Sequence, residues 1–221
     1  MGQIIRNSIV LGLAVGIFGL TFGVLAVASG LTIAQALAMS LLTFTGASQF
    51  AFVGLLGAGG GVTAALLSGL LLAARNGLYA ASIATVLPRN LFKRALSAQL
   101  VIDESTAMAT AQKNPEDSKR AFWATGLAIY FFWSLGTLLG ALCGDLIGSP
   151  DVWGLDAAFP AGFVALLVPH LRSHAALVAA LSGAAITIIA VPIVPIGVPV
   201  LLGVLGAVLG YWRGQSWRVV S

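Results

Sequence analysis

Charge is scarce in this chain. Only 8% of its 221 residues are Asp, Glu, Lys or Arg, against roughly 25% in ordinary soluble domains. A water-soluble globular fold is a poor fit to that balance. The basic residues sit between apolar segments and form no patch for nucleic acid. Cysteine is nearly missing. One residue, Cys143, excludes an internal disulfide and a cysteine zinc cluster; within its apolar run it reads as a packing residue. Histidine is scarce too. His170 and His174 have helical spacing, but no Glu follows His170 to complete a metalloprotease motif, so both read as interfacial. No phosphate-binding loop is present. The glycine-rich turn at 57–61 lacks the Lys and Ser/Thr that such a loop needs. ATP-driven transport by this chain alone is therefore not expected, and no cofactor is implied. Ser48 and Ser105 have no His or Lys base beside them in an apolar setting, which argues against an intramembrane hydrolase. The chain reads as a non-enzyme.

Apolar residues are abundant. They make up 59% of the sequence, with 27 glycines and a mean hydropathy of +1.01. This composition predicts an all-α polytopic membrane protein whose helices approach closely through small residues. Uncharged or nearly uncharged segments cover 8–30, 33–56, 62–87, 121–144, 158–169, 175–191 and 194–212. The first four are long enough to span, since a crossing needs roughly 20 residues. The run 8–30 is long for a signal peptide and has no clear cleavage site. Arg6 stands where an acylation motif needs Ser or Thr. The short segments 158–169 and 175–191 read as two tilted helices or one re-entrant hairpin with its tip near Arg172. Pro192, Pro195 and Pro199 mark a turn, or a broken helix facing a cavity. Five tryptophans, at 123, 133, 153, 212 and 217, read as interface anchors.

Residues 88–120 form the one sizeable polar stretch, with Arg89, Lys93, Arg94, Lys113, Lys119 and Arg120. The positive-inside rule places it in the cytoplasm. Counting outward gives about seven transmembrane segments, N-terminus outside and C-terminus cytoplasmic, in one domain over 1–221. An even count needs one early segment to be re-entrant. Within the polar stretch, 96–112 reads as one amphipathic helix with Asp103, Glu104, Ser105 and Thr106 in its middle. It would lie on the membrane surface or plug the cytoplasmic mouth.

Arg75 carries the strongest functional signal. It is the only charge in 62–87. A guanidinium at the centre of a spanning helix costs on the order of 3 kcal/mol on insertion scales, so it needs a carboxylate, carbonyl, water or anionic ligand. Tyr79 lies one turn away, and Asn76 and Gly77 loosen the helix locally. A guanidinium takes a carboxylate through two parallel hydrogen bonds. The alternative is a structural ion pair with Asp103 or Asp145. A second cluster is Thr45, Gly46, Ser48 and Gln49, where helical spacing puts the three polar side chains on one face. Such residues serve equally as interhelical glue, worth roughly 1 kcal/mol per hydrogen bond. A third cluster, Asp103 with Glu104, is either a solvated face or a cytoplasmic latch on Arg75.

TGASQF at 45–50, ARNGLY at 74–79 and IDESTAMA at 102–109 together resemble the AzlC family of branched-chain amino acid permeases, in order and spacing. The likeness covers the first two-thirds of the chain. Many members carry Asn two residues before the arginine and His after it; Ala73 and Asn76 stand there. The resemblance implies a secondary transporter in the cytoplasmic membrane of a prokaryote. It would export branched-chain or related apolar amino acids beside a small, separately encoded AzlD-type subunit. Joined to the residues, it suggests that Arg75, with Tyr79 and Asn76, holds the substrate carboxylate. Thr45, Ser48 and Gln49 would take the ammonium edge, Gly46 would leave room, and Asp103 or Glu104 would gate or couple. The rival is a non-transporting scaffold or channel-like subunit with Arg75 as a structural pair.

Overall fold

The computed structural model of the chain describes residues 2–147, 164, 167–168, 171–195 and 198–218, with backbone alone at 145–147 and 213–218. The described residues are helical and hold no strand. The protein is an all-α membrane protein. Its helices in chain order are α1 (Gly2–Ala28), α2 (Ile33–Leu42), α3 (Ala47–Gly57), α4 (Gly61–Ala73), α5 (Arg75–Ser82), α6 (Leu91–Ala98), α7 (Asp103–Thr110), α8 (Pro115–Ile147), α9 (His174–Ala190), α10 (Val198–Gly203) and α11 (Leu205–Arg218).

Glycine brings α1 and α8 together. The Ser8 hydroxyl meets Thr125 Oγ1 at 2.9 Å, Gly16 lies against Phe132, and Gly144 lies against Val24. Contacts advance along both helices in step, so the pair is parallel. A Cβ at Gly140 would collide with the Leu20 carbonyl, and one at Gly16 would sit 3.0 Å from that of Phe132. Lipid supplies no hydrophobic drive between helices, so close backbone packing of this kind is what joins them.

The segment expected to span at 33–56 does not. A capping box starts α2: Thr32 N–H donates to Gln35 Oε1 at 2.8 Å, and Gln35 N–H donates to Thr32 Oγ1 at 3.2 Å. Ser40 then reaches Ser134 at 3.2 Å, and the Tyr130 hydroxyl donates to the Leu41 carbonyl at 3.0 Å. The tip of α2 thus stops beside the middle of α8. The chain reverses at Gly46, whose φ of +60 suits glycine. Helix α3 returns until Gly57 lies against Ser29, next to where α2 began. With 10 and 11 residues, each helix rises only about 15 Å, half a bilayer core. The segment is a re-entrant hairpin.

Helices α4 and α5 then cross from the hairpin's side. Gly61–Ser82 is apolar and long enough to span, with a turn at Ala74. The helix expected over 96–112 is likewise two, split at Ile102 (φ −129, ψ 170). Asp103 and Glu104 therefore open α7 instead of lying mid-helix, and the Asp103 charge complements its positive end. The link 99–102 reaches the core. Gln99 Nε2 donates to the Leu41 carbonyl at 2.9 Å, and Leu100 covers Gly126. From there α7 runs to the start of α8, where the Ser118 hydroxyl donates to the Ala109 carbonyl at 2.8 Å.

The parallel packing of α1 and α8 sets which of their ends share a side. Among the described residues three helices are long and apolar enough to cross: Gly2–Ala28, Gly61–Ser82 and Pro115–Gly144. The hairpin adds no crossing between the first two. The N-terminal end of α1 therefore shares a side with the start of α8 and its Lys119 and Arg120.

Helices α9 and α11 pair antiparallel through small residues. Gly206 abuts Gly183, and the Ser182 hydroxyl donates to the Gly206 carbonyl at 3.3 Å. Pro192 and Pro195 fall in the turn after α9, as the turn reading has it. Most of 158–169, and His170, lie outside the described residues, so the choice between two helices and one hairpin there does as well. Cys143 is exposed on α8 and is not a packing residue.

Candidate functional site

Three interruptions of helix gather in one region: the reversal at 43–46, the turn at Ala74 and the link 99–102. Irregular backbone at bilayer depth is tolerated only where protein buries it or a wet cavity meets it. Protein satisfies part of it here, since the Leu41 carbonyl accepts from both Gln99 and Tyr130. Other parts are open. Thr43 is exposed, and Thr45 and Gly46 are half-buried.

Arg75 is the first residue of α5. Its Nη2 lies 3.7 Å from Asp103 Oδ1, with the two side chains 28% and 31% exposed. Its guanidinium carbon sits 6.0 Å from the Tyr79 ring centroid, a weak cation–π contact. Asn76 is half-buried beside it. Asp103 and Glu104 supply two carboxyls near one guanidinium. One N···O contact at that distance is a loose grip, and a two-pronged carboxylate makes a better partner.

The second group forms the reversal and the first turn of α3. Thr45 Oγ1 donates to the Thr43 carbonyl at 2.9 Å and is also hydrogen-bonded to the Ser48 hydroxyl. Gln49 Oε1 accepts the Gly46 N–H at 3.1 Å. The Gln49 side chain is 1% exposed, and its Nε2 has no hydrogen-bond partner. Thr45 lies before α3 and not within it, so the shared face comes from the turn as well as from helical spacing. Helix α4 links the two groups: a Cβ at Gly69 would meet the Ser48 carbonyl at 3.3 Å.

Two residues were not expected here. Trp133 is no interface anchor. It is 3% exposed, stacks on Phe22 at 5.9 Å, and meets the edge of Phe50 at 5.9 Å. Its position near the middle of 121–144, away from either end, was the available signal. Gln99 joins the two interruptions, and one amide in a polar stretch gave no sign of that. Among the described residues no group of His, Cys, Asp and Glu could hold a metal ion.

The AzlC protein family pattern matches residues 10–147, which include all three motifs. A membrane protein of Archaeoglobus fulgidus is 32% identical over 88% of this chain and 87% of its own length. Inner membrane protein YgaZ of Escherichia coli is 32% identical over 87% of this chain and 84% of its own. A membrane protein of Helicobacter pylori is 29% identical over 71% and 69%. No solved structure matches the chain. With more than half its length under the family pattern, the chain belongs to the AzlC family of membrane proteins.

Proposed function

We propose that this protein is a secondary transporter that exports branched-chain or related apolar amino acids across the cytoplasmic membrane of a prokaryote. Arg75 takes the substrate carboxylate, flanked by Tyr79 and Asn76. The observation that carries this reading is the loose Arg75–Asp103 contact beside interrupted helices. A partly exposed pair is worth about 0–1 kcal/mol, so an incoming carboxylate can displace Asp103. The Thr45 and Ser48 hydroxyls offer lone pairs to the ammonium of a substrate that has moved on from Arg75, and Phe44, Phe50 and Phe52 line the way for an alkyl side chain. Such a lining separates alkyl groups poorly, since one methylene is worth about 1–3 kcal/mol. Asp103 and Glu104 close the site when it is empty. A small membrane subunit of the AzlD type completes the exporter.

Leucine efflux from loaded cells tests the carboxylate role. Arg75→Lys keeps the charge and loses the planar fork. It is expected to lower efflux at least about tenfold, about 1.4 kcal/mol. Wild-type efflux from this variant rules the role out.

The same contact favours a second reading, a non-transporting subunit in which Arg75 and Asp103 form a structural pair. Purified protein in liposomes, with and without the small subunit, separates the two. Saturable leucine flux supports the carrier. Non-saturating flux or none supports the subunit.

A further inference from the structure

We infer that the N-terminal end of α3 is a second carboxylate station, built from the Gln49 carboxamide, the Trp133 indole and the first-turn amides. The inference rests on the transport reading and adds a binding place to it. Gln49 commits its oxygen to the Gly46 N–H at 3.1 Å, which seats the carboxamide at the helix end. What remains is Nε2, a donor, buried and without a hydrogen-bond partner. Trp133 Nε1 is a second buried donor without one. Its ring edge lies by the reversal, where a Cβ on Gly46 would meet Cη2 at 3.9 Å. Ala47 and Ser48 open α3, so their amides have no intrahelical acceptor.

All of these groups donate. A buried donor left unpaired keeps its full desolvation penalty, so the place is built for an acceptor. The positive end of the helix favours an anionic one. A carboxylate fits; an ammonium finds no partner in these free atoms. The station is separate from Arg75. Gly69 marks its level on α4, and Arg75 follows by about 9 Å of helical rise. A carboxylate leaving Arg75 therefore meets a second set of donors deeper in the molecule, before the side on which the hairpin opens.

Indole N–H resonances of the full chain in detergent test this, assigned by replacing Trp123, Trp153, Trp212 and Trp217 with Phe one at a time. Sodium acetate replaces sodium chloride at constant ionic strength, and methylammonium chloride is the cation control. The Trp133 signal is expected to shift saturably with acetate, not with methylammonium, and to lose its response in Gln49→Glu. Trp133→Phe keeps the ring packing and is expected to weaken leucine binding about tenfold, leaving leucinamide binding unchanged. A Trp133 signal that ignores acetate, as a buried water alone would produce, overturns the station. So does an equal response in Gln49→Glu. The acetate arm does not depend on leucine being cargo: a response to acetate without leucine flux keeps the station and sinks the export reading, and the reverse result sinks the station alone.

Discussion

Arg75 and Asp103 set a competition that one substitution resolves. If Asp103 occupies the guanidinium when substrate is absent, removing its charge frees Arg75 for cargo. Asp103→Asn is therefore expected to tighten leucine binding. The gain is bounded by what a partly exposed pair contributes, about 1 kcal/mol, or roughly fivefold in Kd. Titration of the purified complex with labelled leucine measures it. Binding weakened by the substitution shows Asp103 holding Arg75 in place instead of competing for it. Arg75 itself was legible because one charge in an apolar run stands out at any alignment. Its relation to Asp103 was legible only as one option among several. Residues 28 positions apart in the chain meet here because two helix breaks bring them together, and hydropathy carries no trace of breaks that stay apolar.

At the scale of elements, small residues decide which helices can touch. A side chain at Gly140 has no room, because the Leu20 carbonyl already lies where its Cβ would be. Gly140→Val is expected to part α1 from α8 and destabilise the protein by about 1–3 kcal/mol or more. Gly77 is the contrast. Nothing lies within 4 Å of a Cβ there, and Ala is favoured over Gly in a helix by about 1 kcal/mol. Gly77→Ala should leave the melting temperature unchanged or raise it. Thermal unfolding in one detergent compares the two. The small-residue content announced close packing in advance, but not which helices pair or in which sense. The reversal at Gly46 was harder to see. Residues 33–56 carry no charge, and a span and a hairpin of two half-helices bury the same composition. The signal lay in 43–46, where two threonines and a glycine favour a turn but also fit a polar helical face. The split at Ile102 was hidden for a related reason: no Gly or Pro interrupts 96–112, and tertiary packing of Leu100 on Gly126 decides against a single helix.

For the whole molecule, the hairpin controls the direction of everything before it. Charge alone left one ambiguity, since Arg6 is the only Lys or Arg ahead of Arg75 and one residue is a weak topology signal. Parallel packing of α1 on α8 removes it. Ser8 is level with Thr125, so Arg6 shares a side with Lys119 and Arg120, and the positive-inside rule then gives the prediction of a cytoplasmic N-terminus. The turn at 57–61 should face the other way. Replacing Cys143 with Ser gives a background for single-cysteine variants at Gln3, Ala58 and Lys113, all exposed positions. A membrane-impermeant thiol reagent added to intact cells should label Ala58→Cys alone. In inverted vesicles it should label Gln3→Cys and Lys113→Cys and spare Ala58→Cys. Labelling of Gln3→Cys from outside, with Lys113→Cys protected, would return 33–57 to a full crossing, and the re-entrant tip on which the two proposed carboxylate sites depend would be lost with it.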